Sequence, residues 1–530
     1  MTTVMEPPVS IFNDVLGPIM RGPSSSHTAA SARIGRLAAE LLGEEIKSVL
    51  VEFAPDGSLA TTYDGQGSDI GLAAGLLGLE ASSSKMKDSL SLIKAQGIDL
   101  KFAIRDYPAT HPNTYRMTLE SVNGKKLEII AISTGGGMVK MTQLNGFGVD
   151  VQGGYFEFFF LAKGVSNDKI KTLPEQIDGK YSSIGIEAVY TATAKDGTLV
   201  NIKTSGPVGK EIREEIASGF HSAELFYASP FLPVLSGKKC SAPFTTARDL
   251  IKSLPSGDTQ LWEMAVMYES RRGNIDEKEV WRLASGVYEV MKDSVRKGLE
   301  GTSYKDRILG RQSHLIGEAV TKGRILDSPL MNNVIRNTMA VMESKSSFQE
   351  IVAAPTAGSC GVIPGAITGC ADSYDFTEEE CVKALLSAGM IGVLIATQST
   401  FSAEVAGCQA ECGAASAMAA AAIVQLLGGN AQEAVNAASF ALQNMLGLIC
   451  DPVANRVEVP CLGKNILGAV NGLTSANITM AGVDTVIPLD EVIKAMDSVG
   501  ASLPRELRCT GCGGLSLTDT AMEIERKLKS

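Results

Sequence analysis

Apolar residues recur at helical spacing from Thr28 to Leu42 and stop at Gly43, which predicts a helix closed by a glycine cap. The period then shortens. Ile46 to Phe53, Lys101 to Ile104 and Lys126 to Ile132 read as strands. Val151 to Leu161 is rich in aromatics, with Phe156, Phe158, Phe159 and Phe160, and Ile184 to Ala192 again favours β structure. From about Ser256 onward the aromatics thin out. Alanine, leucine, glutamate and lysine dominate windows such as Asp276 to Arg296 and Glu378 to Leu394, the pattern of helices. Between the halves, Tyr227 to Gly257 is punctuated by Pro230, Pro233, Gly237, Pro243, Pro255 and Gly257, as expected of a connection. The expectation is a multi-domain chain. An α+β N-terminal domain spans residues 1–240, a linker 241–256, and a mostly all-α C-terminal domain 257–530.

Composition narrows the function. The 530 residues suit two to four domains at roughly 150 residues each. Lys and Arg number 48 against 59 Asp and Glu, a net charge of −11, the wrong sign for a protein that neutralises phosphate backbones, so no nucleic-acid partner is expected. Met1 to Asp14 lacks the basic flank and apolar run of a secretory signal, and a cytoplasmic location follows as the expectation. There, ten cysteines read as core residues, metal ligands or redox groups before disulfides. Ala410 to Leu427 has the length of a membrane span. It is mostly alanine and holds Glu411 and Gln425, so a buried helix and no membrane partner are expected. Only four histidines accompany the ten cysteines, which points to sulfur as the holder of any metal.

Several segments carry candidate chemistry. Gly22-Pro23-Ser24-Ser25-Ser26-His27-Thr28 opens the first helix with hydroxyls and free backbone N–H groups, suited either to an anion such as a carboxylate or to simple capping. His27 adds a group that moves protons near neutral pH. Ser133-Thr134-Gly135-Gly136-Gly137 follows a strand and allows close backbone approach to a ligand, or a flexible turn. His111-Pro112-Asn113 places an imidazole in a loop. Ala354-Pro355-Thr356-Ala357-Gly358-Ser359-Cys360-Gly361 puts small residues ahead of an apolar helix, where Cys360 serves a ligand site or fills core space. Cys408, Cys450 and Cys461 are three thiols without a partner histidine, compatible with soft iron–sulfur ligation or with unrelated core packing. Cys509-Thr510-Gly511-Cys512 is a lone C-x-x-C. Cys240, Cys370, Cys381 and Cys412 are assigned to packing.

In this order the segments resemble the iron–sulfur-dependent L-serine dehydratases (L-serine ammonia-lyases), in the single-chain form where a β-type domain precedes the α-type domain. The resemblance implies a four-iron, four-sulfur cluster held by Cys408, Cys450 and Cys461, with the fourth iron open to substrate and no pyridoxal phosphate. It implies a small amino-acid substrate whose carboxylate meets Ser24, Ser25, Ser26 and His27, with Thr28, Gly135, Gly136, Thr356, Gly358 and Ser359 beside it. It also implies elimination of water from L-serine to give pyruvate and ammonia. A homodimer is expected separately, from an interface on the apolar helical half. Three departures stand out. Gly65-Gln66-Gly67-Ser68-Asp69 carries glutamine where the family commonly has histidine, so proton abstraction passes to His27 or His111. Leu309-Gly310-Arg311-Gln312-Ser313-His314 replaces a glycine-rich acidic loop, and Arg311 suits a second substrate carboxylate. Some relatives end in a cysteine that returns to the cluster; here Cys509 or Cys512 is the candidate fourth ligand. Two alternatives follow: the same chemistry on a dicarboxylic substrate, or a non-catalytic amino-acid sensor.

Overall fold

The computed structural model describes residues 7–162, 172–173, 177, 180–181, 184–194, 197–222 and 224–529. Its first half is α+β. A short strand β1 (Ile19–Met20) precedes helix α1 (Ala30–Leu42), which ends on the left-handed backbone of Gly43 at φ 65°. Strand β2 (Ile46–Phe53), helix α2 (Ser68–Leu76) and strand β3 (Asp99–Ile104) lead into a meander of β4 (Thr114–Ser121), β5 (Lys126–Gly135), β6 (Met138–Leu144) and β7 (Phe147–Val151). These strands form one sheet in the order β3-β2-β4-β5-β6-β7, with only the β2–β3 pair parallel. Period-2 burial is plain in β5, where Leu127, Ile129, Ala131, Ser133 and Gly135 face inward. Helices α1 and α2 cover that face and cross closely. A Cβ on Gly71 or Gly75 would lie 2.0 Å from the carbonyl oxygens of Thr28 and Ala32, so glycine sets the crossing distance.

A second sheet contains β8 (Phe156–Ala162), β9 (Ile186–Ala194), β10 (Gly197–Thr204) and, after helix α3 (Lys210–Ser218), β11 (Leu225–Ala228). Its order is β11-β8-β10-β9, all antiparallel. The unbroken aromatic run has a cause in two-sided burial. Phe158 and Phe160 pack with Val200, Ile202 and Phe220, while Phe159 and Leu161 join the core of the first sheet.

From Leu261 the chain is helical: α4 (Leu261–Gly273), α5 (Glu277–Glu300), α6 (Pro329–Ser346), α7 (Val362–Tyr374), α8 (Glu378–Gln398), α9 (Ala414–Leu426), α10 (Ala431–Gln443), α11 (Cys461–Met480) and α12 (Leu489–Ser502). Every residue of α9 is buried, ringed by α7, α8, α10 and α11. Its alanines let neighbours approach, with a Cβ position on Gly472 only 3.1 Å from that of Ala419. Helix α8 has the length and hydropathy of a membrane span, but most of it lies inside this core.

The helical core also takes in residues from outside the 257–530 window. Ile11, Phe12, Val15 and Leu16 sit in it, as do Phe244, Ala247 and Leu250. The reason is a groove on α8, where Gly389 and Gly392 carry no side chain to block Ile11 and Val15. Glu269 accepts hydrogen bonds from Ser10 Oγ (2.5 Å) and Ile11 N (2.7 Å), and β1 pairs with β12 (Ile351–Val352). The chain thus crosses to the helical body before its first sheet begins, and this crossing places the start of α1 at the joint.

Candidate active site

The site lies at that joint. The turn Ser25–Ala29 runs directly into α1, and all five of its residues are buried. Ser24 caps it, its Oγ accepting from His27 N at 3.3 Å. Thr28 Oγ1 donates to the carbonyl of Gln66 (2.9 Å), pinning the turn to the loop before α2. Ser25 Oγ accepts from Ala357 N at 3.1 Å, a bond from the helical body to the turn.

His27 is wholly buried, and its hydrogen bonds define a tautomer. Thr62 Oγ1 donates to Ser58 O (2.7 Å), so at 2.9 Å from His27 Nε2 it accepts, and the ring proton sits on Nε2. Nδ1 then keeps a lone pair, 3.2 Å from Ser24 Oγ and 3.6 Å from Glu404 Oε1. Burial lowers the His27 pKa to about 4 against the opposing pull of Glu404, so the imidazole is neutral at pH 7 and the contact with Glu404 is not an ion pair. Glu404 is in turn fixed by Ser402 Oγ, which donates to Oε2 at 2.8 Å. His111 is half-buried; its Nδ1 accepts from Asn113 N at 3.1 Å, and burial lowers its pKa while Glu404 raises it.

The glycine hairpin closes one side. Gly135 and Gly136 have φ values of 111° and 60°, and Cβ atoms there would lie 3.1 Å from Ser402 N and Pro355 O. Close backbone approach needs glycine at both. Opposite, Thr356 Oγ1 donates to Glu411 Oε1 (2.7 Å) and lies 3.2 Å from Ser359 Oγ. A side chain on Gly358 would meet Glu411 at 2.6 Å. Burial, with the charge of Cys408 next, pushes the Glu411 carboxyl up to about 8.

Buried thiols occupy the floor. Cys408, Cys412, Cys450 and Cys509 share one cluster, and Cys461 begins α11 beside it. Cys408 and Cys412 are hydrogen-bonded to each other, as are Cys450 and Cys509. The bond from Cys412, helped by Lys464, lowers the Cys408 pKa to about 7, whereas burial raises that of Cys461. Two cations face these sulfurs, Lys345 buried and Lys464 partly buried. Lys464 Nζ donates to Ile449 O and Asp451 Oδ1, both at 2.7 Å, and Lys345 donates to Val457 O. Among the described residues no three Cys, His, Asp or Glu converge on a point where one metal ion would sit. A multi-iron cluster needs thiols around a volume rather than at a point, and an all-sulfur, desolvated set flanked by ammonium groups fits its chemistry.

The structure therefore brings together Ser24, Ser25, Ser26, His27 and Thr28, Gly135 and Gly136, Thr356, Gly358 and Ser359, and Cys408, Cys450 and Cys461 across one joint. It separates the two C-x-x-C thiols. Cys509, with a left-handed φ of 57°, is held to Cys450 by N–H donation to Cys450 O (3.0 Å), whereas Cys512 turns toward Thr510 O at 3.3 Å. Arg311 is outside the group: exposed, it lies against Gly301 and donates to Leu299 O at 3.4 Å. Motif reading had assigned no role to Glu404, Lys345, Lys464 or Asn465, whose amide donates to Gly358 O and Cys461 O. For the three charged ones, a charge in an apolar window is the available signal. Gln66, read as a missing base, is buried and donates through Nε2 to Cys509 Sγ at 3.6 Å.

Comparison with known proteins finds the same organisation. The family model for the serine dehydratase alpha chain matches residues 256–516. The L-serine dehydratase alpha chain of Peptoniphilus asaccharolyticus is 35% identical over 284 residues, 53% of this chain and 97% of that one. The probable L-serine dehydratase beta chain of Bacillus subtilis is 41% identical over 211 residues, 39% of this chain and 92% of that one. The L-serine dehydratase of Streptomyces coelicolor is 28% identical over 522 residues, 96% of this chain and 98% of that one.

Proposed function

Because the chain belongs to the L-serine dehydratase family, we propose that it is an iron–sulfur lyase that deaminates L-serine to pyruvate and ammonia. The observation that carries the reading is the meeting of the hydroxyl-rich turn 24–28 with the thiols of the helical body, bridged by His27 to Glu404, Gln66 to Cys509 and Ala357 to Ser25. Cys408, Cys450 and Cys461 would hold a four-iron, four-sulfur cluster, with Cys509 as the resting fourth ligand, and Cys512 is left aside. When bound, the cluster supplies a Lewis acid for the β-hydroxyl of serine.

The remaining work falls to side chains. Ser24, Ser25 and Ser26 receive the substrate carboxylate at the N-terminal end of α1, where the helix dipole favours an anion. His27, neutral and with its lone pair on Nδ1, takes the α-proton. The imidazolium that forms lies 3.6 Å from Glu404, whose carboxylate offsets the new charge. Loss of the α-proton and the β-hydroxyl gives the enamine, which tautomerises and is hydrolysed to pyruvate and ammonia. Burial of the joint keeps bulk water from competing for the proton. With Arg311 on the surface, one carboxylate is recognised rather than two, which favours serine over a dicarboxylic substrate.

All ten cysteines are free, in keeping with a reducing cytoplasm. The helix His314–Thr321 buries none of its residues and, with Leu326 at 88% exposure, supports a homodimer. Anaerobic purification with iron and sulfide analysis, followed by pyruvate and ammonia release from L-serine, tests the reading. Iron near four per chain, lost together with activity in Cys461→Ala, is expected for a four-iron cluster. A metal-free preparation that deaminates serine would overturn it.

A further inference from the structure

Between β2 and α2 the chain makes a single helical turn, Leu59–Thr62, with Ser58 at its N-cap position. A serine there ordinarily accepts from an N–H of its own helix. Ser58 makes no such bond. Its Oγ donates instead to Cys509 O at 3.2 Å, across 451 residues of sequence. Thr61 Oγ1 likewise donates to Thr510 O at 3.1 Å, and Arg505 Nη2 donates to Asp56 O at 3.4 Å. With Gln66 on the Cys509 thiol, the turn and its flanks are docked on segment 505–510. That segment is tied in turn to the cysteine loop. Cys509 N donates to Cys450 O at 3.0 Å, and Cys450 N to Leu507 O at 2.9 Å.

The other end of the turn meets the imidazole. Three consecutive hydrogen bonds join the Cys509 main chain to the ring: Ser58 Oγ to Cys509 O, Thr62 Oγ1 to Ser58 O, and His27 Nε2 to Thr62 Oγ1. Ser58, Thr62 and His27 are all buried, so bulk water does not stand in for a lost partner. Hydrogen bonds chained in such surroundings strengthen one another. Without an acceptor at Nε2 the ring proton moves to Nδ1, where Glu404 Oε1 at 3.6 Å receives it. The lone pair then lies on the side of position 62 and is lost to the cradle.

We propose, on the reading of His27 as the base, that Ser58 and Thr62 are positioning residues for the elimination, through which the main chain of segment 509–510 sets the tautomer of His27. Neither residue takes part in the proton transfer. Thr62 holds the ring proton on Nε2, and Ser58 holds the turn that presents Thr62. The base is in order only while segment 509–510 is seated against the cysteine loop.

Solid-state ¹⁵N NMR of the full-length, anaerobically purified chain with ring-labelled histidine reads the tautomer directly and needs no turnover. The chain has only four histidines, and His27→Gln identifies the signal of His27. The native chain shows the proton on Nε2. Thr62→Val moves it to Nδ1 and lowers kcat for L-serine about a hundredfold with little change in KM, the mark of a lost general base. Thr62→Ser restores both. Ser58→Ala, which leaves every group on His27 in place, gives a mixture of tautomers and a kcat lower by about tenfold, the worth of one neutral hydrogen bond. Thr61→Ala, a change at an exposed residue, shifts both readouts less in the same direction and decides the matter if Ser58→Ala does not fold. A native signal with the proton on Nδ1, or an unaltered tautomer in Thr62→Val, overturns the role of Thr62. Native spectra and kcat in both Ser58→Ala and Thr61→Ala overturn the link to segment 509–510. These spectra do not depend on iron, so a metal-free chain that shows the expected tautomers refutes the lyase reading and not the positioning.

Discussion

His27 makes the most quantitative prediction because its burial is complete and its bonding is specified. An imidazole with a pKa near 6.5 in the unfolded chain and about 4 in the folded one binds its proton more tightly when unfolded. Its effect on stability is therefore absent above pH 7 and grows as pH falls from 6.5 toward 4, always in the direction of destabilisation. A shift of this size corresponds to about 3 kcal/mol at its limit, and about 2 kcal/mol is already lost at pH 5. His27→Gln removes the titration and keeps an amide that reaches Ser24 and Thr62. Urea unfolding of the two chains at pH 7.5 and pH 5.0 reads the difference. Carboxylates that titrate over the same interval contribute to both chains and cancel. The native chain should lose about 2 kcal/mol more than the variant between the two pH values. Equal losses would refute the assignment of a neutral, desolvated imidazole, and with it the lone pair on Nδ1 that the proton transfer uses.

Three further outcomes follow from the packing. Gly71→Ala forces a Cβ to within 2.0 Å of the Thr28 carbonyl, a backbone atom that cannot swing aside; a loss of about 1–3 kcal/mol in chemical unfolding and a raised KM for L-serine are expected together, since Thr28 ends the cradle. Cys512→Ser should retain its iron on anaerobic purification while Cys461→Ser does not, because the Cys512 thiol faces Thr510 rather than the other sulfurs. Arg311→Ala should leave kcat/KM for L-serine within about twofold in a pyruvate-release assay, as expected for an exposed side chain remote from the joint.

The periodic parts of the fold were legible in the chain. Strand β2 occupies Ile46–Phe53, the segment its pattern predicts, and α1 ends at Gly43 as its cap requires. Both depend on neighbours within a few residues, where side-chain alternation and backbone conformation carry the information. The two-sided burial of β8 could not be read from its aromatics alone, because a continuous apolar run does not say what lies on each face. The insertion of Ile11 and Val15 into the helical core was equally hidden. Its determinants, Gly389 and Gly392, lie more than 370 residues away and look like ordinary helix glycines until the partner is in place.

The candidate site was legible only as fragments, for a related reason. Hydroxyl-rich turns, glycine runs and cysteines announce their chemistry by type, but the groups that set their protonation come from elsewhere in the chain. Lys345 sits in a window with no other sign of function, Lys464 follows Cys461 without any mark of its own role, and only folding turns both toward sulfur. Gln66 shows the limit most clearly. From the sequence it is a histidine lost, and the inference stops at what glutamine cannot do. In the fold its amide meets Cys509, which is tied through backbone and thiol to Cys450. The amide offers that sulfur an N–H donor at any pH and, unlike an imidazole, carries no charge that changes near neutrality. The glutamine therefore gives the thiol floor a contact that does not titrate, and the proposed mechanism assigns proton transfer to His27, which its burial keeps neutral.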